Sequence, residues 1–274
     1  MFHYICETCG AQYSARQTPP DECRICMDER QYVRAGGQKW TTLDVIRLSH
    51  HNRFETLEPG LVGIITEPGF AIGQRPLLLQ AKGPQVIGKN ILWDCNSLID
   101  GQTIATVKAL GGLSAVAVSH PHFYDSMVEW SQAFGGIAIY IHAEDREWVT
   151  RPDKAIIYWD GPAYELAAGV TLVRCGGHFE GSAVLHWAGG AGGKGALFTA
   201  DTIHVAADRE HVSFMRSFPN LIPLSSKKVE CVLHAVEPYT FDRIYGGWPD
   251  RVILEGAKPA VKQSAERYLN AISD

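Results

Sequence analysis

The residues best placed to do chemistry are His120-Pro121-His122, which follow the apolar run Leu113 to Val118 and lead into Phe123-Tyr124-Asp125. On an extended backbone, side chains at i and i+2 project to the same side. The spacing therefore predicts two imidazoles side by side at the lip of a buried strand. Alone, His-x-His is equally a pair of polar residues capping a strand, so its company decides. The segment Cys175-Gly176-Gly177-His178-Phe179-Glu180-Gly181-Ser182 follows the apolar run Thr171 to Arg174, and Ala200-Asp201 follows Ala196 to Thr199. Each puts one potential ligand at a strand end. Three imidazoles and a carboxylate are the donor set of a catalytic zinc or non-haem iron centre.

A second set of donors lies at the N-terminus. Cys6-Glu7-Thr8-Cys9-Gly10 and Cys23-Arg24-Ile25-Cys26 are two Cys-x-x-Cys pairs. Two residues between thiolates let a tight turn present both sulfurs to one ion, and Gly10 permits the unusual backbone angles of that turn. Two such knuckles give tetrahedral sulfur coordination, suited to zinc or iron. A segment of about 35 residues buries too little apolar surface to fold unaided. Zinc binding, worth about 10–16 kcal/mol, makes up that deficit. A structural zinc is thus expected at Cys6, Cys9, Cys23 and Cys26, with iron as the alternative. Arg34-Ala35-Gly36-Gly37-Gln38 reads as the boundary between a module over 1–36 and a main domain over 37–274.

Composition narrows the partners. The 274 residues are 46% hydrophobic and 20% charged, with a formal charge of −5 and no dense basic block, which argues against nucleic acid. No apolar run approaches the roughly 20 residues of a membrane span. The start, Met1-Phe2-His3-Tyr4-Ile5-Cys6, has neither the basic nor the apolar region of an export signal. Paired cysteines without such a signal suit a reducing cytoplasm, with Cys95, Cys175 and Cys231 as free buried thiols. The expected partner is a small-molecule substrate, and association into a homo-oligomer is left open.

The elements that must position these groups change character along the chain. From Lys39 to about Asn96, short β-rich runs such as Leu61–Ile65, Pro76–Leu79 and Asn90–Trp93 show no helical period. Asp100 then reads as the N-cap of a helix from Gly101 to Leu110, ended by Gly111-Gly112. Helices are expected from Ser126 to Phe134, from Glu144 to Val149 and from Ala260 to Ile272. Strands are expected at Ile137–Ile141, Thr171–Arg174, Ala183–Trp187 and Ala196–Thr199. A β-rich half followed by strand–helix alternation predicts two sheets with helices outside, an α/β (α+β) chain. Gly189 to Gly195 lacks the hydroxyl residue after Lys194 and the following helix of a phosphate loop, and reads as a hairpin loop. Gly112-Leu113-Ser114-Ala115-Val116 lacks the closing glycine of a nucleophile elbow. His204 reads as a surface residue or a neighbour of the ligands, and His142 as solvent-exposed. His50, His51, His186, His211 and His234 match no ligand position.

The series Asp94-Cys95-Asn96, Ser119 to Asp125, Gly176 to Ser182 and Thr199-Ala200-Asp201 resembles the metallo-β-lactamase superfamily over roughly Lys39 to Arg251. The cysteine knuckles resemble those of rubredoxin and zinc-ribbon modules. The resemblance implies an αββα sandwich with the metal at the strand ends. His120 and His122 match the first two ligands of the family's His-x-His-x-Asp-His motif, His178 matches the third histidine, and Asp201 the carboxylate that usually bridges two metals. Tyr124-Asp125 replaces the family's Asp-His, and the late segment Ile244-Tyr245-Gly246-Gly247-Trp248 lacks the last histidine. One active-site metal, zinc or iron, is therefore expected. Asp201, Asp125 and Tyr124 are the candidate catalytic groups. The expected reaction is hydrolysis of an ester, lactone, thioester or amide. The alternatives are a mononuclear iron oxidoreductase fed by a rubredoxin-like module and a non-catalytic metal-binding or regulatory protein.

Overall fold

The computed structural model describes residues 1–80 and 90–273, which divide into two compact units. The first comprises Met1–Ile141 with Arg146–Tyr158, the second His142–Asp145 with Trp159–Asp274.

The first unit is built on a seven-stranded sheet in the order His51–Glu58, Leu61–Glu67, Leu77–Leu79, Ile91–Trp93, Ala115–Ala117, Ala138–His142 and Ile156–Trp159. The first four strands pair antiparallel. Ile91–Trp93, Ala115–Ala117 and Ala138–His142 then run parallel. Parallel neighbours need a crossover, and the helices Gly101–Ala109 and Met127–Ala133 supply it. Asp100 caps the first of them, accepting from the Thr103 backbone N–H, as its type and place in the sequence predict. The strands Ile91–Trp93 and Ala115–Ala117 are apolar and buried throughout. Their carboxyl ends bring Asp94-Cys95-Asn96 and Ser119 to Asp125 to the same sheet edge. A one-turn helix, Leu43–Ile46, stands where no helical period is readable, because four residues are too few to show one.

The N-terminal cysteine segment is continuous with this unit. Tyr4–Cys6 pairs antiparallel with Trp40–Thr42. The four cysteines, Ala11 and Ile25 form a buried cluster against which Tyr13, Trp40, Ile72 and Trp148 pack.

The second unit carries a six-stranded sheet, in the order Ala163–Ala167, Val170–Arg174, Ala183–Trp187, Ala196–Ala200, Arg243–Gly246 and Val252–Ile253. Only the pairing of Ala196–Ala200 with Arg243–Gly246 is parallel. The helices Ser226–Val236 and Ala257–Ala271 bury Val229, Val232, Val236, Val261 and Ala265 with Val173, Val184, Leu197 and Ile244 of the sheet. Ala183–Trp187 and Ala196–Ala200 are antiparallel neighbours, so the intervening glycine-rich stretch is the expected hairpin connection. Among the described residues no helix is long and apolar enough to cross a membrane.

Two expectations are corrected. Cys231 is exposed on the Ser226–Val236 helix, while Cys95 and Cys175 are buried thiols as expected. His142 is buried too: its Nε2–H donates to the Gly161 carbonyl at 3.2 Å, its Nδ1 accepts from the Glu144 N–H at 3.3 Å, and its ring packs on Trp159. Both hydrogen bonds together require the neutral ring, and burial holds its pKa below 6.5 against the opposing pull of the Gly161 contact. A base with a depressed folded-state pKa contributes stability above its unfolded value and loses it as pH falls. Denaturant midpoints measured from about pH 8 to about pH 5 should therefore fall less steeply for His142→Gln than for the wild type. Equal slopes would contradict the assignment.

Candidate metal centre

The histidine pair is positioned by Asp94. Its backbone N–H donates to the Ala117 carbonyl and its Oδ1 accepts from the Ser119 N–H, both at 2.8 Å. The strand exit is thereby gripped on both sides. His120 is extended, but Pro121–Phe123 then forms a single 3-10 turn. The extended backbone expected through His122 is absent, because proline pre-sets the helical φ at the first position of a turn. The two rings nevertheless meet, with centroids 5.1 Å apart and planes at 72°. Ser119 Oγ lies 2.8 Å from His120 Nδ1.

In the second unit, His178 sits in the turn between Val170–Arg174 and Ala183–Trp187. The Cys175 and Gly176 N–H groups donate to the Ser182 carbonyl, and the Phe179 N–H donates to Ser182 Oγ. Gly181 closes the turn: its N–H donates to Asp145 Oδ1, and a Cβ there would lie 2.6 Å from the Asp145 carboxyl carbon. His178 Nδ1–H donates to the Met215 carbonyl at 2.9 Å, which leaves the Nε2 lone pair as the ligating position, 3.8 Å from Asp201 Oδ2. Asp201 follows the end of Ala196–Ala200, where Ala200 has a φ of +46°. Asp94, at +59°, and Asp125, at +34°, share this strained, left-handed conformation. Such backbone strain concentrates where a fold must aim particular groups.

In the first unit the His120 and His122 rings meet, and in the second His178 Nε2 lies 3.8 Å from Asp201 Oδ2. These residues are 1%, 3%, 1% and 5% exposed. Each unit thus buries part of a nitrogen-rich donor set of a kind that suits zinc or iron. Tyr124 and Asp125 follow the histidine pair in the first unit. Both are buried, and the Asp125 carboxylate accepts from Ser97 Oγ and Gln74 Nε2. Burial pushes its pKa up to about 8, against the opposing effect of those two hydrogen bonds. His204 is half-buried, its ring 4.5 Å from Phe218 and 5.4 Å from Trp248, and burial lowers its pKa.

The cysteine sulfurs converge within 4.8 Å. Cys6 and Cys26 are 3.6 Å apart, as are Cys9 and Cys23. Hydrogen bonds within the quartet hold Cys6 low and push Cys9 up, and four sulfurs this close are a donor set that suits a cation. Gln38 Nε2 reaches Cys6 Sγ at 3.0 Å and Tyr13 OH reaches Cys23 Sγ at 3.5 Å.

The supports of both centres leave little trace in the sequence. Asp94 stands within a recognisable motif that gives it no role, and nothing in the spacing marks Ser119, Asp145, the Met215 carbonyl or Gln38.

No family model matches the chain. A Bacillus subtilis (strain 168) protein, YmaE, described as uncharacterized, is 48% identical over 275 residues, covering 100% of this chain and 98% of its own. The chain belongs to the YmaE family. Among solved structures it is similar to metallo-β-lactamases. FIM-1 from Pseudomonas aeruginosa, in its mono-zinc form, aligns with a TM-score of 0.59 at 16% identity, covering 81% of this chain and 97% of FIM-1. DIM-1 aligns at 0.58 and 15%, covering 81% and 98%, and an enzyme from Hirschia baltica at 0.52 and 18%, covering 79% and 97%. The chain has the αββα metallo-β-lactamase fold with a four-cysteine cluster near its N-terminus.

Outer hydrogen bonds to metal ligands typically carry 10- to 100-fold in affinity. Gln38→Leu should thus weaken retention of the cysteine-bound metal against a competing chelator by about 10-fold. Unchanged retention would show that the Gln38 contact does not act on the sulfur.

Proposed function

We propose that this member of the YmaE family is a metal-dependent hydrolase with one active-site metal held by His120, His122, His178 and Asp201. The observations that support the reading are the buried His120–His122 pair of the first unit and the buried His178–Asp201 pair of the second. Cys6, Cys9, Cys23 and Cys26 would hold a separate structural zinc. A zinc ion at the histidine site would lower the pKa of a water from roughly 15.7 to about 7 and polarise a substrate oxygen.

The chain's own residues do the rest. The Met215 carbonyl and Ser119 fix the orientations of His178 and His120, so the donor nitrogens need not reorganise on binding. The Asp201 carboxylate, 3.8 Å from His178 Nε2, would orient the attacking water and accept its proton. Tyr124 caps the turn that carries His122, and its phenol is the proposed donor to the departing group. Asp125 acts by orienting that turn, since its carboxylate is directed to Ser97 and Gln74. The substrate class is a small ester, lactone, thioester or amide. The absence of a histidine in Ile244 to Trp248 supports a single metal, and the FIM-1 neighbour is itself described in a mono-zinc form.

An iron-dependent oxidoreductase is the second reading, favoured by the rubredoxin-like burial of four sulfurs in one cluster. Metal analysis separates the two. Untagged protein should carry two metals per chain. His178→Ala should lose one of them, retain the cysteine-bound metal, and drop hydrolysis of a panel of aryl esters, lactones, thioesters and anilides by about 100-fold or more. Retention of both metals in His178→Ala would overturn the site. Iron at the histidine site would move the assignment to the oxidoreductase.

A further inference from the structure

The Cys9-Gly10 knuckle is seated directly on the segment that follows the histidine pair. Gly10 has a φ of +84°, and a Cβ at that position would overlap Asp125 Oδ1 and lie 2.7 Å from Ser97 Oγ. Ser97 Oγ is shared between the Gly10 carbonyl, at 3.2 Å, and the Asp125 carboxylate. Just beyond the knuckle, the Gln12 N–H donates to the Asp125 carbonyl at 3.2 Å. Asp125 is therefore held by the N-terminal segment through both its side chain and its backbone.

The contact reaches the histidines through a short, rigid stretch, since Asp125 lies only a turn beyond His122. The Cys95 thiol lies within hydrogen-bond reach of the Phe123 and Tyr124 carbonyls at 3.4 and 3.5 Å. Gln74 Nε2 joins the Asp125 carboxylate to the Cys95 carbonyl. On the other side, Gln12 is anchored in turn: its carbonyl accepts from Thr150 Oγ1 at 2.8 Å, and its side chain binds Arg151. Every polar side chain in this chain of contacts except Thr150 is buried. A network so fully enclosed transmits displacement, because no group can move into water to relieve it.

We propose that the four-cysteine module is the clamp that positions His120 and His122: with its metal bound, the Cys6–Gly10 turn holds Asp125, and Asp125 holds the ligand-bearing turn. Metal affinity at the histidine site then depends on occupancy of the cysteine site, although the two share no ligand. Gly10 and Asp125 are positioning residues. The proposal rests on the reading that both clusters bind metal.

Cobalt(II) titration of the full chain, followed by absorption, tests both statements separately. Cobalt bound to four thiolates gives an intense ligand-to-metal band in the near ultraviolet, whereas a nitrogen–oxygen site gives only weak visible bands. Wild type should show both signatures, and absence of the second would overturn the histidine site itself. Cys23→Ser should lose the sulfur signature and weaken cobalt binding at the histidine site by about 10-fold or more. Gly10→Ala should keep the sulfur signature and weaken the histidine site to a similar extent. Asp125→Ala should also weaken it, and the loss in the double variant should fall short of the sum of the single losses, because the closest collision, that with the carboxylate, is then gone while the Ser97 contact and the left-handed backbone remain. Should Cys23→Ser fail to fold, the Gly10–Asp125 cycle decides, since it leaves all four sulfurs in place. Unchanged affinity in Gly10→Ala, or additive losses in the double variant, would overturn the clamp while leaving both metal sites standing.

Discussion

Three imidazoles and a carboxylate follow strand ends, His120 and His122 in the first unit and His178 and Asp201 in the second, in residues almost sealed from water. That is the constraint on which the rest of the molecule depends. Polar groups withdrawn from solvent need partners, and buried imidazoles and carboxylates are groups that suit a cation. The surrounding structure of each unit holds its own pair in place. Asp94 grips the strand exit ahead of His120, the Met215 carbonyl sets the His178 tautomer, and Gly181 lets the His178 turn close on Asp145. Backbone strain at Asp94, Asp125 and Ala200 marks the same segments. Ala71, Ala191, Arg209 and Leu221 share the conformation elsewhere in the chain.

The cysteine cluster obeys the same rule with sulfur. It shares packing with Trp40, Ile72 and Trp148, and its knuckle meets the residues after the histidine pair. A small four-cysteine module is thus packed against the segment that follows the histidine pair.

Much of this was legible in the residues themselves. Apolar runs ending in His120, His178 and Asp201 mark strand ends, and the buried strands Ala115–Ala117, Val170–Arg174 and Ala196–Ala200 stand where those runs predict. Asp100 announces its helix because N-capping is a local interaction. What escaped was non-local or a contest between local preferences. Extended alternation predicted the approach of His120 to His122, yet Pro121 turns the chain and achieves the same approach by another route. The burial of His142 depends on Gly161 and Trp159, and the Gly10–Asp125 contact joins residues far apart in sequence. Spacing carries no record of either. Cys231 was placed inside by its residue type, but the inward face of its helix is taken by Val229, Val232 and Val236.

The central claim is one metal at the four-donor group, separate from the metal at the cysteines. Anomalous diffraction from crystals of the metal-loaded protein, recorded on both sides of the metal's absorption edge, tests it most directly. Two peaks per chain are predicted. One lies about 2.3 Å from the sulfurs of Cys6, Cys9, Cys23 and Cys26. The other lies about 2.0–2.2 Å from nitrogens of His120, His122 and His178 and an oxygen of Asp201. No peak among the histidines would contradict the claim outright, and a third peak coordinated by Asp201 with Asp125 would contradict the single-metal centre.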